Sequence, residues 1–461
     1  MSRAMRLLFG ALGIALGLPH SLLAQQSQQG AIAHLPSRPV VQRLVPPEQT
    51  YEAVPAPAAG GAAVAMRGPP GASLTLDQAT DLAVQNNPLL ARSRAQIDSK
   101  IGTAIQAGIW ANPRYDSNNP QVFAGNLSQY NVGFQQEIPV MGKLRLDRAA
   151  AMQDVYQARF AYIHQRFELL TAVRQQFYRV LAQERRVAVL GELVEIATRS
   201  HAAAQQREKA GQVAETDVLL LLIELQQARI ALENSQVILA GTRRALAATM
   251  GLPMLSIQDT LGELTSRLPE FEEGPMREFV ATQNAQIQEA RLQVTQNQIL
   301  LQRAQVEPYP NPYTGPAVAW GPSSGSGGTS GSQFWYNLQM NVPVWNLNQG
   351  GIRAANANIR DARASIGVLQ NDLLRQSAET LAAYRSARDR ARYIGEKILP
   401  TAERTWRLMQ NAYEVGQVDV APVLQAQKAL TQVNLDYIEA LESSWENAAT
   451  LAGLLQVELF P

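Results

Sequence analysis

The chain has 461 residues with 40 basic and 39 acidic side chains, four histidines and no cysteine. Balanced charge, with the basic residues spread along helical stretches, excludes the electrostatic footprint of a nucleic-acid binder. The missing cysteines exclude disulfides, thiolate chemistry, zinc sites built on Cys ligands and a lipid-modified N-terminal Cys. His20, His34, His164 and His201 make no metal-ligand pattern.

Arg3 and Arg6 precede an apolar run from Leu7 to Leu18 and a small residue at Ala24. That is the pattern of a secretory signal peptide over residues 1–24. The run falls short of the roughly 20 apolar residues a spanning helix needs. No later segment reaches that length, so entry into a membrane has to use strands. Residues 25–73, rich in Gln, Pro, Ala and Gly without a period, read as a flexible periplasmic leader. From Leu74 the character changes, and Leu76-Asp77-Gln78-Ala79 starts a helical pattern with Asp77 placed to cap it.

Beyond this point the chain repeats itself. REKAGQVAETDVL around Gly211 returns as NAYEVGQVDVAPVL around Gly416, an offset of 205 positions. Upstream, Asn112-Pro113 corresponds to Asn311-Pro312, and Gln136–Val140 to Met340–Val344. Two repeats are therefore expected, 74–260 and 261–461. The first carries strands over about 113–138 and long helices over about 142–210 and 214–250. The second carries strands over about 312–344 and long helices over about 350–415 and 419–457. Pro400 should kink or split its helix. Gly211 and Gly416 end long helices, Thr216 and Asp419 are placed to cap the next ones, and Pro422 sits in a first turn. Helices of this length have to pack as coiled coils or as staves of an assembly.

The strands alternate. Tyr130, Val132, Phe134 and Ile138 interleave with Gln129, Asn131, Gln135 and Glu137. Phe334, Tyr336, Leu338, Met340 and Val342 interleave with Gln333, Asn337, Gln339 and Asn341. Such a pattern suits a membrane barrel, apolar outside and polar in the lumen, and equally a half-buried strand of a soluble sheet. The signal peptide and the aromatic margins (Tyr309, Tyr313, Trp320, Trp335, Trp345) favour the membrane. The partner strands near 114–119 and 313–320 alternate poorly. The polar connections from Asp116 to Gln129 and from Gly321 to Ser332 suit extracellular loops. About four strands per chain cannot close a barrel that needs at least about eight, and an open edge cannot face lipid. The barrel must therefore be shared between chains.

The duplicated unit, its Asn-Pro lead-in, the Pro139-x-x-Gly142-Lys143 and Gly350-Gly351-x-Arg353 strand exits, the two Gly-centred tips and the Ile398-Leu399-Pro400 run resemble the TolC family of outer-membrane factors. The Gly-Lys exit resembles members partnered with heavy-metal pumps. The resemblance covers roughly 74–457. It implies a mainly α fold with membrane β: a homotrimer whose shared twelve-stranded barrel, set in outer-membrane lipid, continues into a long periplasmic α-helical barrel. It further implies an exit duct for an inner-membrane pump, of RND type or another, joined by a periplasmic adaptor (membrane fusion) protein. By the same resemblance Gly211, Gln212 and Val213, with Gly416, Gln417 and Val418, form adaptor-docking tips. Asn131, Gln135 and Glu137, with Asn337, Gln339 and Asn341, would face the lumen. Lys143, Arg353, Trp335 and Trp345 would lie at the membrane interface, where Lys143 and Arg353 can snorkel toward phosphates. Some members carry acidic residues six and nine positions after the second tip glycine. Here Pro422 and Gln425 stand there, which leaves Glu414 and Gln425 for the periplasmic mouth. No phosphate loop, nucleophile elbow or paired-carboxylate motif stands out, so neither an enzyme nor a cofactor is expected. The rival reading is a secreted coiled-coil adaptor or scaffold with a soluble β-domain.

Overall fold

The computed structural model describes residues 73–117, 130–322, 330–458 and 460. The expected signal peptide, nearly all of the expected leader and most of both polar connections lie outside the described residues. β1 (Ser73–Thr75), α1 (Leu76–Asn86) and α2 (Pro88–Ala107) lead into β2 (Arg114–Ser117) and β3 (Tyr130–Glu137). α3 (Lys143–Lys209) and α4 (Glu215–Thr249) follow. After β4 (Asp259–Leu261) the order recurs: α5 (Glu273–Thr282), α6 (Ala285–Val306), β5 (Tyr313–Pro322), β6 (Ser330–Gln339), α7 (Gln349–Tyr393), α8 (Leu399–Glu414) and α9 (Val420–Leu454). Among the described residues no helix is long and apolar enough to cross a membrane.

At 67 residues, α3 is a rod about 100 Å long at 1.5 Å per residue. It keeps no single apolar face because its neighbours change along its length. Ala151 and Val155 pack with Ala104 of α2. Further on, Val173, Phe177, Tyr178 and Leu181 meet Leu246 of α4 and Ile438, Leu441 and Trp445 of α9. Nearest the hairpin end, Ala204 joins Val218, Leu221 and Val420. Contacts therefore run α2–α3–α6–α7 in one stretch and α4–α3–α9–α8 in the other, with α7 also against α9. The central core draws on both halves of the chain, from Leu74 to Trp445.

That core is anchored by Trp445, whose ring stacks on Tyr178 with centroids 4.2 Å apart and whose indole N–H donates to the Leu264 carbonyl at 2.9 Å. Beside it Arg174, only 1% exposed, donates to the carbonyls of Val457 and Glu458 and covers the Phe460 ring. Burial lowers its pKa from the ordinary guanidinium value to about 10, which leaves it charged at neutral pH.

Several local expectations need correction. Thr75, not Asp77, caps α1, through a reciprocal capping box with Gln78; Asp77 lies in the first turn, where its charge favours the helix dipole. Ala214 rather than Thr216 stands at the cap of α4, and Asp419 holds the cap position of α9 without a side-chain bond. Pro400 does interrupt its helix, in a particular way: a π turn over Ile394–Ile398 separates α7 from α8, whose first turn holds the proline. A turn with i→i+5 bonds accommodates one extra residue inside a continuing helix.

Candidate functional site: a two-faced sheet and paired hairpin tips

The long strands form one antiparallel sheet in the order β2–β3–β5–β6, with β2 and β6 at its edges among the described residues. Asp116 pairs with Gly133, Gly133 with Ala317, and Ala317 with Trp335. Arg114 stands across from Gln135, and Asn337 from Gly315. Alternation then assigns the faces. One carries Asn131, Gly133, Gln135, Glu137, Gly315, Ala317, Ala319, Asn337 and Gln339. The other carries Tyr115, Val132, Phe134, Val318, Trp320, Phe334, Tyr336 and Leu338, with Phe334 72% exposed. The expected amide face is thus one continuous surface. Beyond Tyr313, β5 contributes the small Gly315, Ala317 and Ala319 to it and Val318 and Trp320 to the opposite face, so its alternation does not read as polar against apolar.

Trp335 departs from expectation. Its register places it on the amide face opposite Ala317, where it borders the same concavity as Asn131, Gln135 and Asn337. Asn341 lies beyond the end of β6 at Gln339, and Ile138 beyond the end of β3. Trp345, 89% exposed, follows the sheet, and Arg353 is exposed near the start of α7.

Lys143 does not snorkel. It is 5% exposed, and its ammonium donates to the carbonyls of Tyr309 at 2.6 Å and Glu307 at 3.3 Å. Pro308 and Pro310 leave the end of α6 short of N–H donors. Lys143 supplies two bonds there, and Asn348 supplies a third to the Ala304 carbonyl at 2.8 Å. Both strand-to-helix junctions thus close on the end of α6. Left-handed backbone at Gly142 (φ +68°) and Asn348 (φ +57°) makes these corners.

Asn311 ties the junction to the sheet. Its amide donates to the Glu137 carboxylate at 2.7 Å, its oxygen accepts from Val140 N–H at 3.2 Å, and Ile138 N–H donates to the Pro312 carbonyl at 2.9 Å. The sequence motif Asn-Pro was visible, but these partners were not.

At the other end of the long helices, Gly211 (φ +72°) and Gly416 (φ +75°) take the left-handed position after each helix. Gln212 N–H returns to Arg207 and Gly211 N–H to Glu208; Gln417 N–H returns to Ala412 and Gly416 N–H to Tyr413. Both are Schellman turns. Gly211, Gln212, Gly416 and Gln417 are exposed, whereas Val213 and Val418 are half-buried and so partly structural. The tips are joined to each other. Arg207 lies 5.2 Å over the Tyr413 ring and donates to the Glu414 carbonyl at 3.3 Å. Lys428 pairs with the buried Glu224 at 2.8 Å. Glu414 and Gln425 are exposed near this end, Glu414 accepting from Gln410. These cross-tip pairs carried no motif that sequence reading could find.

A model of the outer membrane efflux protein family matches residues 280–456. The cobalt-zinc-cadmium resistance protein CzcC of Cupriavidus metallidurans is 23% identical over 391 residues, 83% of this chain and 90% of that protein. The structure of CusC, described in terms of folding and transmembrane channel formation, matches with a TM-score of 0.71 at 14% identity, over 82% of this chain and 91% of its own. The outer membrane protein VceC of Vibrio cholerae matches with a TM-score of 0.66 at 17% identity, over 83% and 96%. Together with the two-faced sheet and paired hairpins, these matches make the chain similar in fold to outer-membrane efflux channels, with the family model covering residues 280–456.

Proposed function

We propose that the chain consists of two repeats of one unit and that three copies pool their sheets into a single twelve-stranded barrel. The barrel continues into a helical duct that forms the exit of a tripartite efflux system. The carrying observation is the sheet itself: polar and small on one face, aromatic and aliphatic on the other, with β2 and β6 each paired on one side only among the described residues. Lipid tolerates no such edges, so they must close between chains. Asn131, Gln135, Glu137, Asn337 and Gln339 then line the lumen, together with Trp335, and Trp345 and Arg353 lie toward the periplasmic membrane interface. The tips at Gly211–Val213 and Gly416–Val418 receive a periplasmic adaptor that couples the duct to an inner-membrane pump, and Glu414 and Gln425 border the mouth. The relative named for cobalt, zinc and cadmium resistance makes divalent metal cations the first cargo to test.

The test is the mass of protein extracted from membranes in detergent, corrected for bound detergent, paired with metal accumulation in cells lacking the gene. Three chains per particle and raised metal content on deletion are expected. A monomer in the soluble fraction would overturn the duct and favour a coiled-coil scaffold. Unchanged metal with raised drug retention would move the cargo to organic compounds.

A further inference from the structure

The Asn311 junction is an internal contact between the two repeats: it belongs to the lead-in of the second and grips the strand exit of the first. The repeat correspondence supplies its counterpart. Asn112 matches Asn311, Pro113 matches Pro312, and Asn341, Val342 and Val344 match Glu137, Ile138 and Val140. Within one chain those counterparts flank the two edge strands: Asn112 and Pro113 lead into β2, and Asn341, Val342 and Val344 follow β6. Asn112 is exposed and hydrogen-bonds to no described residue, and Asn341 and Val344 are exposed as well.

We propose that Asn112 of one copy clasps the β6 exit of a second copy as Asn311 clasps the β3 exit, and that this fixes the register between copies. The inference rests on the shared-barrel reading above. Asn112 donates to the Asn341 side-chain oxygen and accepts from Val344 N–H, and Val342 N–H donates to the Pro113 carbonyl.

Glu137 pairs with Tyr313 in β3–β5. Carried over, that register sets Asn341 opposite Arg114 and Gln339 opposite Asp116. An independent check supports it. Arg114 and Asp116 lie on the amide face of the sheet, as does Gln339. On the opposite face the same register brings Tyr115 against Met340, which are 58% and 55% exposed in the single chain. A slip by one residue would set Tyr115 against Gln339 and reverse the faces along the whole seam. The clasp also accounts for the early end of β6. Glu137 lies within β3 because a neighbouring strand and the Asn311 junction hold it; Asn341 has no neighbouring strand within one chain.

The absence of cysteine makes the test direct. Asn112→Cys with Val344→Cys, and separately Asp116→Cys with Gln339→Cys, are treated with mild oxidant or a short bis-maleimide in detergent-extracted full-length protein. Each single variant serves as a control. Covalent multimers from both double variants and none from the singles are expected. An Asp116→Cys, Leu338→Cys pair, shifted by one residue, should give far less. If the particle keeps the mass of three chains but neither pair cross-links, the clasp and register are overturned while the shared barrel stands. If the uncross-linked particle is a monomer, the shared barrel fails and the clasp with it.

Discussion

The ammonium of Lys143 lies 2.6 Å from the Tyr309 carbonyl oxygen, so the first residue of α3 terminates α6. The charge sits at the negative end of the α6 dipole and meets carbonyls that the adjacent prolines leave without N–H partners. Hydrogen bonds from a charged donor contribute about 1.5–3 kcal/mol each. Lys143→Met should therefore destabilise the folded chain by about 2–3 kcal/mol, seen as a lower denaturation midpoint in detergent. The loss should be the same with zwitterionic and with anionic lipid present. A loss found only with anionic lipid would mean that Lys143 contacts phosphates.

At the tips, no atom lies within 4 Å of a Cβ built on Gly211 or Gly416. Gly211→Ala and Gly416→Ala should then cost only the left-handed strain, about 1–2 kcal/mol, and leave efflux measurable. Proline fixes φ near −65° and cannot take the positive value either turn needs. Gly211→Pro and Gly416→Pro are expected to abolish efflux while the particle keeps its oligomeric mass. Unchanged export in the proline variants would remove the tips from adaptor docking.

The large elements were legible because they follow from periodicity and punctuation. The long helices need only a run free of proline, and the tips need only a glycine where φ turns positive. The fine structure was less visible, for identifiable reasons. β5 hides its alternation because Gly315, Ala317 and Ala319 are small rather than polar. Lys143 looked like a surface charge because its partners are carbonyls more than 160 positions away in sequence. One detail was present but uninterpreted. The repeats are offset by 204 positions at the strand exits and by 205 at the tips. The π turn over Ile394–Ile398 lies between these points and accommodates the one extra residue of the second copy.

Gly315 illustrates what small residues on the amide face do. A Cβ there would run into the Phe134 carbonyl oxygen, and one on Gly133 would come within 3.0 Å of the Ala317 Cβ. β3 and β5 can approach only because this face is stripped down at their crossing. Gly315→Val should prevent the β3–β5 ladder and abolish assembly of a stable membrane oligomer. Gly331→Val, at a position with open space around it, should leave assembly intact. Both are read from oligomer recovered in the membrane fraction, and normal assembly of Gly315→Val would contradict the sheet.

Glu442 gives a pH dependence of defined sign. Burial raises its pKa above the ordinary 4.5, against the pull of Arg186 at 2.6 Å and of Arg179; nearby Glu446 adds to the rise. The folded chain therefore holds this proton more tightly than the unfolded chain does. Where the folded state binds more protons, stability falls as pH rises. The Glu442 contribution should thus decline from pH 4.5 upward through the raised folded value and be flat above it. Glu442→Gln removes the titrating group while keeping its shape and acceptor oxygen. Subtracting the variant's denaturation midpoints from those of the parent, across a pH series, should isolate this decline. A difference that rises with pH over the same window would show that the ion pairs with Arg186 and Arg179 outweigh burial at this position.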